Sequence, residues 1–346
     1  MAKSSTSVAV DLIRSIADEN TTLLADGLNS AEITGYIDTG SYLLNMLLSG
    51  DMFHGMPDNK ILALAGETTT GKTYLAKSIA RGFMERHPES IVSYCDTESS
   101  VTSESFTESG MDAARVAITE KRTIEEFRFF LEKLLGAYEK MKDRPPLLSV
   151  LDSLGGLISD KLVEDTAKGK VVADPGRRAQ VIKQTFQLYT LKLAQLHVPM
   201  IVTNHTYTTI GSYIPMKEMA GGSGLKYFAD YILFLSKKKV RDKDDKSLVT
   251  GIEVTVTNIK NRLAKENASV DILINYERGL DRYYGLLEAA VDSGLIDTKS
   301  GGWYTFPDGR KVQRPEIDQN PDQFFTADLL GDLNNLLKPQ FNYGKK

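Results

Sequence analysis

The chain has 346 residues, of which 41% are hydrophobic and 25% are charged, values that are ordinary for globular proteins. Its length predicts two or three domains and a core large enough to need no disulfide or metal staple. The single cysteine, Cys95, excludes a disulfide framework and argues against a cysteine-based metal site. The net charge of −4 excludes a surface that is basic overall, so any nucleic acid must bind a local patch or a channel between subunits.

The sequence gives no sign of membrane insertion or secretion. No apolar run approaches the roughly 20 residues that span a bilayer. The first residues carry charges at Asp11, Arg14, Asp18 and Glu19, which is not the pattern of a secretory signal peptide. We therefore expect a cytoplasmic protein with no membrane partner.

Three segments are predicted along the chain. Residues 1–58 form a short helical segment for oligomerisation, with an apolar helical stripe from Val8 to Ile16 and with Ser41 placed to cap a helix over 42–48. Residues 59–275 alternate apolar runs with amphipathic stretches, which predicts an α/β core with a mainly parallel sheet covered on both faces. The predicted strands are 61–65, 91–95, 147–151, 200–204, 231–235 and 252–257, and the predicted helices are 72–86, 124–141 and 181–196.

The composition changes over residues 276–346, which predicts a small α+β domain. A helix is expected over 284–293, a hairpin turn at Asp308-Gly309 and a final helix over 322–337. In the core, the last two predicted strands are separated by a charged turn at 237–246, so they are expected to pair as an antiparallel hairpin.

The most specific motif is a GxxxxGK[ST] loop between a predicted strand and a predicted helix. Its glycines let backbone N–H groups and the helix dipole face a phosphate, and its lysine and hydroxyl suit the terminal phosphates and Mg²⁺. A chance match is the alternative, but the strand before the loop and the helix after it argue against chance. We therefore predict ATP and Mg²⁺ as cofactors, bound by Gly66, Glu67, Thr68, Thr69, Thr70, Gly71, Lys72 and Thr73.

Two acidic residues follow other predicted strands. Asp152 ends the apolar run 147–151, as expected for a residue that holds the metal together with Thr73. Glu98 follows the strand 91–95 and lies where ligands bind at the carboxyl ends of parallel strands, so it could orient or deprotonate an attacking water. A turn or capping acid is the alternative for Glu98, and the neighbouring motifs favour the catalytic interpretation.

Six short motifs follow one another along the chain. They are Gly66–Thr73, Asp96-Thr-Glu98, Leu151-Asp-Ser-Leu-Gly-Gly156, Val202-Thr-Asn204-His205, Gly221-Gly-Ser-Gly-Leu-Lys226 and Lys260-Asn-Arg262. In this order they resemble the motifs of RecA-family recombinases, and they are most similar to the phage UvsX type. The resemblance runs from about residue 40 to Leu337, and it implies a RecA-like P-loop ATPase core in which Glu98 would be the catalytic base and Asn204-His205 would sense the γ-phosphate.

The resemblance also implies residues that act between subunits and on DNA. Lys260 and Arg262 would reach the ATP of a neighbouring subunit. Two long polar segments, 160–178 and 206–222, match DNA-binding loops that order on a ligand, although surface loops without a ligand are the alternative. Their candidate DNA-binding residues are Lys161, Lys168, Lys170, Arg177, Arg178, Tyr207, Tyr213, Met216 and Lys217.

Two further features qualify the resemblance. Ser105 stands where relatives place a tyrosine against adenine, and the adjacent Phe106 is the candidate for contact with the base. The run 237–243 is rich in lysine but interrupted by acids, so a solvated hairpin tip is favoured over a patch that captures duplex DNA.

The predicted function is ATP-dependent strand exchange by helical filaments of the chain on single-stranded DNA, in homologous recombination, repair and replication. The implied partners are homologous double-stranded DNA, other copies of the chain, a mediator and a single-strand-binding protein, in the cytoplasm of a phage-infected bacterium. Two alternatives share the motifs: a hexameric helicase, which would form closed rings, and a recombinase-regulating paralogue without useful turnover. The presence of Glu98 argues against the second alternative.

Overall fold

The computed structural model describes residues 5–17, 21, 30–170, 175–208, 217–299 and 301–344. Within these ranges the helices are α1 Ser5–Ile16, α2 Tyr42–Ser49, α3 Lys72–Arg86, α4 Ser103–Glu108, α5 Ile124–Glu139, α6 Asp160–Ala167, α7 Pro175–Gln195, α8 Gly224–Phe228, α9 Leu286–Asp292, α10 Arg314–Gln319, α11 Pro321–Phe324 and α12 Ala327–Phe341. The strands are β1 Tyr36–Ile37, β2 Met56–Pro57, β3 Ile61–Gly66, β4 Ile91–Asp96, β5 Val116–Glu120, β6 Leu147–Asp152, β7 Met200–Thr208, β8 Lys217–Met219, β9 Tyr231–Arg241, β10 Val249–Lys260, β11 Ser269–Asn275, β12 Gly279–Leu280, β13 Asp297–Lys299, β14 Trp303–Thr305 and β15 Lys311–Gln313.

One large sheet dominates the fold. Its order is β12-β11-β10-β9-β3-β7-β6-β4-β5, with β8 paired to the far end of β7. The six strands from β9 to β5 run parallel, while β10, β11 and β12 are antiparallel. The predicted α/β core and the antiparallel β9–β10 hairpin are therefore confirmed, and the carboxyl ends of β3, β4, β6 and β7 meet at one edge.

Alternate residues of the central strands enter two apolar cores, one on each face of the sheet. Leu62 and Leu64 of β3 pack with α2, α3 and the carboxyl-terminal helices, whereas Ala63 and Ala65 pack with α5 and α7. Because both faces are covered, β3 and β6 are mainly apolar and are buried along their whole length, with Ser149 and Asp152 as the polar residues of β6. The sheet edge that carries the loops is thus fixed by two packed layers.

Helix starts follow the capping residues of the sequence. Ser41 accepts a hydrogen bond from the Leu44 backbone N–H at the start of α2, as predicted, and Thr123 and Glu126 form a capping box on α5. The predicted single helix over 322–337 is wrong. The chain leaves α11 after Phe324, and Thr326 then caps the new helix α12.

The carboxyl-terminal segment contains a three-stranded antiparallel sheet of β13, β14 and β15, and the predicted hairpin turn at Asp308-Gly309 joins the last two. Leu330 and Leu333 of α12 join the same apolar core as Leu44 of α2, so this segment packs directly on the rest of the chain. The boundaries at 58/59 and 275/276 stay predictions. Within the described ranges no helix is long and apolar enough to cross a membrane.

Candidate nucleotide site and its link to the second polar loop

The glycine-rich loop joins β3 to α3 at the carboxyl edge of the sheet. A Cβ at Gly66 would lie 2.7 Å from the Leu235 carbonyl oxygen, and a Cβ at Gly71 would lie 2.7 Å from Ile274 Cδ1. Gly71 also has φ +88°, in the left-handed region, and Thr69 has φ +61°. Only glycine fits these two places, so the loop has the tight path that directs its backbone N–H groups to an anion.

Lys72 lies at the first position of α3 and is 7% exposed. Its ammonium donates to the carbonyl oxygens of Gly66 and Glu67 at 2.9 and 2.8 Å, and so it crosses the mouth of the loop. Burial lowers the pKa of Lys72, while the carboxylates of Asp152 and Glu98 act in the opposite direction. Both acids are therefore within electrostatic reach of the lysine.

Asp152 ends β6 and is 5% exposed. Its two carboxylate oxygens accept hydrogen bonds from the Tyr94 hydroxyl, at 2.6 Å, and from the Thr203 hydroxyl. The donors come from β4 and β7, the strands on either side of β6. Neither donor was predicted, because their approach to Asp152 depends on the order of the strands in the sheet.

The Asp152 carboxylate and the Thr73 hydroxyl are oxygen donors of the kind that Mg²⁺ prefers. Within the described residues there is no group of three or more His, Cys, Asp or Glu side chains suited to hold a metal. This donor set fits magnesium, which keeps few protein ligands and completes its shell with phosphate and water oxygens.

Glu98, two residues after β4, is held by Ser153, which directly follows β6, and by His205 of β7. Its Oε1 accepts a hydrogen bond from the Ser153 hydroxyl at 2.6 Å and lies 3.1 Å from His205 Nε2. The Ser153 hydrogen bond is the main cause that lowers the pKa of Glu98, and His205 acts in the same direction. Asp96 fixes the turn itself, because its carboxylate accepts the backbone N–H groups of Glu98 and Ser100.

A chain of hydrogen bonds runs from Glu98 to the second polar segment. Beyond His205, the fully buried Asn204 accepts the His205 backbone N–H at 2.9 Å and donates to the Ala220 carbonyl at 2.8 Å. Ala220 in turn donates its backbone N–H to the His205 carbonyl at 2.9 Å. The carboxylate at the sheet edge is thereby joined to the base of the segment 206–222.

The second polar segment is a hairpin at its base. β7 continues to Thr208 and pairs with β8, where Tyr207 faces Glu218 and donates to its carboxylate at 3.2 Å. Lys217 forms an ion pair of 3.2 Å with Glu67 of the glycine-rich loop. Tyr213 and Met216 lie outside the described residues, and their assignment stays a prediction.

The first polar segment is more helical than the sequence predicted. The prediction of a long loop over 160–178 is wrong, because α6 covers Asp160–Ala167 and α7 already begins at Pro175. Ser159 caps α6 by accepting the Leu162 backbone N–H, which explains the extra helix. The exposed candidates in this segment are Lys161, Lys168, Lys170 and Arg177.

Two predicted binding residues face inward. Arg178 donates to the carbonyl oxygens of Leu154, Gly155 and Leu157 at 2.6–3.0 Å, so its guanidinium ties α7 to the turn after β6 and is half-buried. Phe106 is 1% exposed and meets the Tyr94 ring edge-on at 5.1 Å. The predicted contact of Phe106 with a base is therefore wrong for this structure, since packing between α3 and β4 occupies its ring.

Lys260 and Arg262 lie at the amino-terminal edge of the sheet. Lys260 donates to the carbonyl oxygens of Lys226 and Tyr227, and Arg262 pairs with Asp230 at 3.1 Å. Asp230 also accepts the backbone N–H of Ile61, the first residue of β3. Since the glycine-rich loop follows the last residue of β3, these two cations and the loop of the same chain lie at opposite ends of that strand.

The fold and this edge of the sheet define a P-loop nucleotide-binding protein. Residues 8–281 match the RecA N-terminal domain family, and the chain belongs to the RecA family. It is 30% identical over 262 residues to the recombination and repair protein of Enterobacteria phage T4, which covers 76% of this chain and 65% of that protein. It is 23% identical over 316 residues to the RecA protein of Arthrobacter sp. (strain FB24), which covers 90% of this chain and 84% of that protein.

These similarities confirm the resemblance to RecA-family recombinases that was drawn from the motifs, including the similarity to a phage protein. The similarity to the phage protein spans 65% of that protein's own length. The chain is also 24% identical over 313 residues to the RecA protein of Bifidobacterium longum (strain NCC 2705).

Proposed function

We propose that the chain is an ATP-dependent strand-exchange recombinase that forms helical filaments on single-stranded DNA. The observation that carries the proposal is the hydrogen-bonded chain Glu98–His205–Asn204–Ala220, which joins a poised carboxylate to the base of a predicted DNA-binding loop. The names of its relatives, a recombination and repair protein and RecA, support recombination as the process.

In the proposed reaction, water attacks the γ-phosphorus of ATP, the bond from that phosphorus to the bridging oxygen breaks, and ADP and phosphate leave. Glu98 accepts the proton from the water, and its lowered pKa keeps the carboxylate ionised for this task. Lys72 neutralises charge on the phosphates. Mg²⁺, held by Thr73 and Asp152, would stabilise the charge that develops on the phosphate oxygens.

Assembly is part of the proposal. Lys260 and Arg262 are proposed to act on the ATP of the next subunit, since they lie at the sheet edge opposite their own glycine-rich loop. Exposed apolar residues of α1, Leu12 and Ile16, support the role of residues 1–58 in contacts between copies. The divisions 59–275 and 276–346 are proposed as the ATPase core and a carboxyl-terminal domain.

The exposed cations Lys161, Lys168, Lys170 and Arg177 are proposed to contact the DNA backbone, together with Tyr207 and Lys217 at the second loop. Such contacts make binding salt-dependent and largely independent of sequence. We further propose homologous duplex DNA, a mediator and a single-strand-binding protein as partners, in the host cytoplasm where the phage relative suggests the protein acts.

The test is ATP hydrolysis by the purified full-length chain with and without single-stranded DNA, beside Lys72→Ala. We expect strong stimulation by DNA and no turnover in the variant, with open filaments in electron micrographs. A rate of ATP hydrolysis that is the same with and without DNA would contradict the recombinase function, and six-fold rings in the micrographs would favour a helicase.

A further inference from the structure

A lysine outside the glycine-rich motif reaches the motif from the neighbouring strand. β9 pairs with β3 up to Gly66 and Leu235, and then continues beyond the end of β3. Lys237 is two residues past Leu235, so its side chain leaves the sheet on the same face as that buried leucine. Pairing of Lys237 with Val254 of β10 keeps this part of β9 in regular strand geometry.

The Lys237 ammonium donates a hydrogen bond to the Thr69 hydroxyl at the crest of the loop. Thr69 has φ +61° and donates its own hydroxyl hydrogen to the Thr68 carbonyl at 2.6 Å. The contact is therefore made with a residue of the loop whose backbone is in the left-handed region, and such turned loops direct backbone N–H groups to phosphates.

The ammonium groups of Lys72 and Lys237 both contact the backbone or hydroxyl oxygens of the same short loop, whereas Lys217 contacts only the Glu67 carboxylate. Burial is the main cause that lowers the pKa of Lys72, and the charge of Lys237 acts in the same direction, which places the two cations within electrostatic range. Like charges held close together repel, and a multiply charged anion between them removes this repulsion. A nucleoside triphosphate is an anion of that kind.

The other lysines of this strand are placed differently. Lys238 points to the opposite face and forms an ion pair with Glu253. Lys239 is exposed, and within the described part of the chain it makes no ion pair and no side-chain hydrogen bond. Contact with the glycine-rich loop thus distinguishes Lys237 from a general basic character of the run 237–243.

We propose that Lys237, from β9 of the same subunit, is a ligand of the nucleotide polyphosphate. When nucleotide binds, the Lys237 ammonium leaves the Thr69 hydroxyl and contacts the phosphates. The inference rests on the proposed ATP-binding function and deepens it. It adds a cation to the site that the GxxxxGK[ST] pattern does not contain, and it assigns a role to a residue that the sequence placed in a solvated hairpin.

The experiment measures the dissociation constants of ATPγS and ADP by displacement of a fluorescent ATP analogue, without DNA and over a series of salt concentrations. Lys237→Gln should weaken ATPγS binding by about tenfold and flatten its salt dependence, because one charge-assisted contact is lost. Lys237→Arg should stay within about threefold of the unchanged chain, since it keeps the charge.

Lys239→Gln is the matched control and should bind ATPγS as the unchanged chain does. The proposal is overturned if Lys237→Gln binds as tightly as the unchanged chain, or if Lys239→Gln loses as much affinity. Failure of the unchanged chain to bind ATPγS would instead overturn the proposed function itself. Circular dichroism of each variant checks that the fold is kept.

Discussion

The Tyr94 hydroxyl donates a 2.6 Å hydrogen bond to Asp152 Oδ2, and the tyrosine that makes it is fully buried. Burial, reinforced by the adjacent carboxylate of Asp152, raises the pKa of Tyr94, so the hydroxyl keeps its proton over the whole working pH range. The proposed metal-binding carboxylate is therefore oriented by a donor that does not titrate.

Tyr94→Phe removes this donor and leaves one oxygen of a buried carboxylate without its partner. We expect the free energy of unfolding to fall by about 1–3 kcal/mol, the usual cost of an unsatisfied buried group. Urea unfolding followed by circular dichroism measures it. Tyr276→Phe is the control because Tyr276 is 62% exposed and should change little. Equal stability of the two variants would contradict a stabilising role for the contact.

Glu98→Gln keeps the size of the side chain and removes its basicity. We expect DNA-stimulated ATP turnover to fall by at least about 100-fold, within the usual contribution of a general base, while ATPγS binding is retained. Single-turnover hydrolysis and nucleotide displacement measure the two effects separately. An unchanged turnover would rule out the assignment of Glu98 as the base.

Ser153→Ala tests the hydrogen bond that lowers the pKa of Glu98. A base must be ionised, so activity is present above the pKa of Glu98 and is lost as the pH falls through it. Removal of the Ser153 donor raises that pKa toward its usual value, and the acid limb of the pH–rate profile should move to higher pH. The profile of kcat measures the shift, and an acid limb that moves to lower pH would contradict this direction.

Arg178 and Lys170 were both predicted to bind DNA, and the structure separates them. Arg178→Ala should lower the free energy of unfolding, because the three hydrogen bonds of its guanidinium to carbonyl oxygens are lost. The exposed Lys170 should leave stability unchanged when it is replaced by alanine. Lys170→Ala should reduce the salt slope of single-stranded DNA binding by about 0.7, the share of one phosphate contact. Fluorescence anisotropy of a labelled oligonucleotide measures the slope, and an unaltered slope would exclude that contact.

A mixture of two inactive variants tests catalysis between subunits. Lys72→Ala lacks the phosphate-binding lysine and Arg262→Ala lacks the cation at the opposite edge of the sheet. In a head-to-tail assembly, roughly one quarter of the contacts in an equal mixture pair an intact loop with an intact Arg262. DNA-stimulated turnover should therefore reappear at about that fraction. If mixing restores nothing, Arg262 does not act across the contact.

The parts of the site that local sequence determines were predictable. The glycine-rich loop, the start of α3 and the acid that ends β6 follow from residue types whose backbone needs and strand positions are visible in the sequence. The partners of these residues were not predictable in the same way. Tyr94 and Thr203 meet Asp152 only because β4 and β7 flank β6 in the sheet, and strand order is a property of the tertiary structure.

The predictions that failed for Phe106 and Arg178 did so because both side chains are turned toward the core. Phe106 and Arg178 have side chains suited to a base and to a phosphate, and packing of α4 and α7 on the core turns both inward. β5 was not predicted because it is an edge strand of five residues with an exposed, mixed face. At the break before α12, the Thr326 side chain accepts the Leu329 backbone N–H, a capping bond that the apolar pattern over 322–337 does not reveal.

The separation of Arg262 from the glycine-rich loop along β3 has a consequence for growth. A head-to-tail row of such molecules has unlike termini, one with a nucleotide that no neighbour's cations cover and one with cations that cover no nucleotide. If Lys260 and Arg262 act across the contact as proposed, the terminal nucleotide of the first kind would be protected from hydrolysis, because no neighbour supplies its second set of charges. Addition and loss of molecules would then proceed at different rates at the two termini, and the proposed filament would have a direction along the DNA strand.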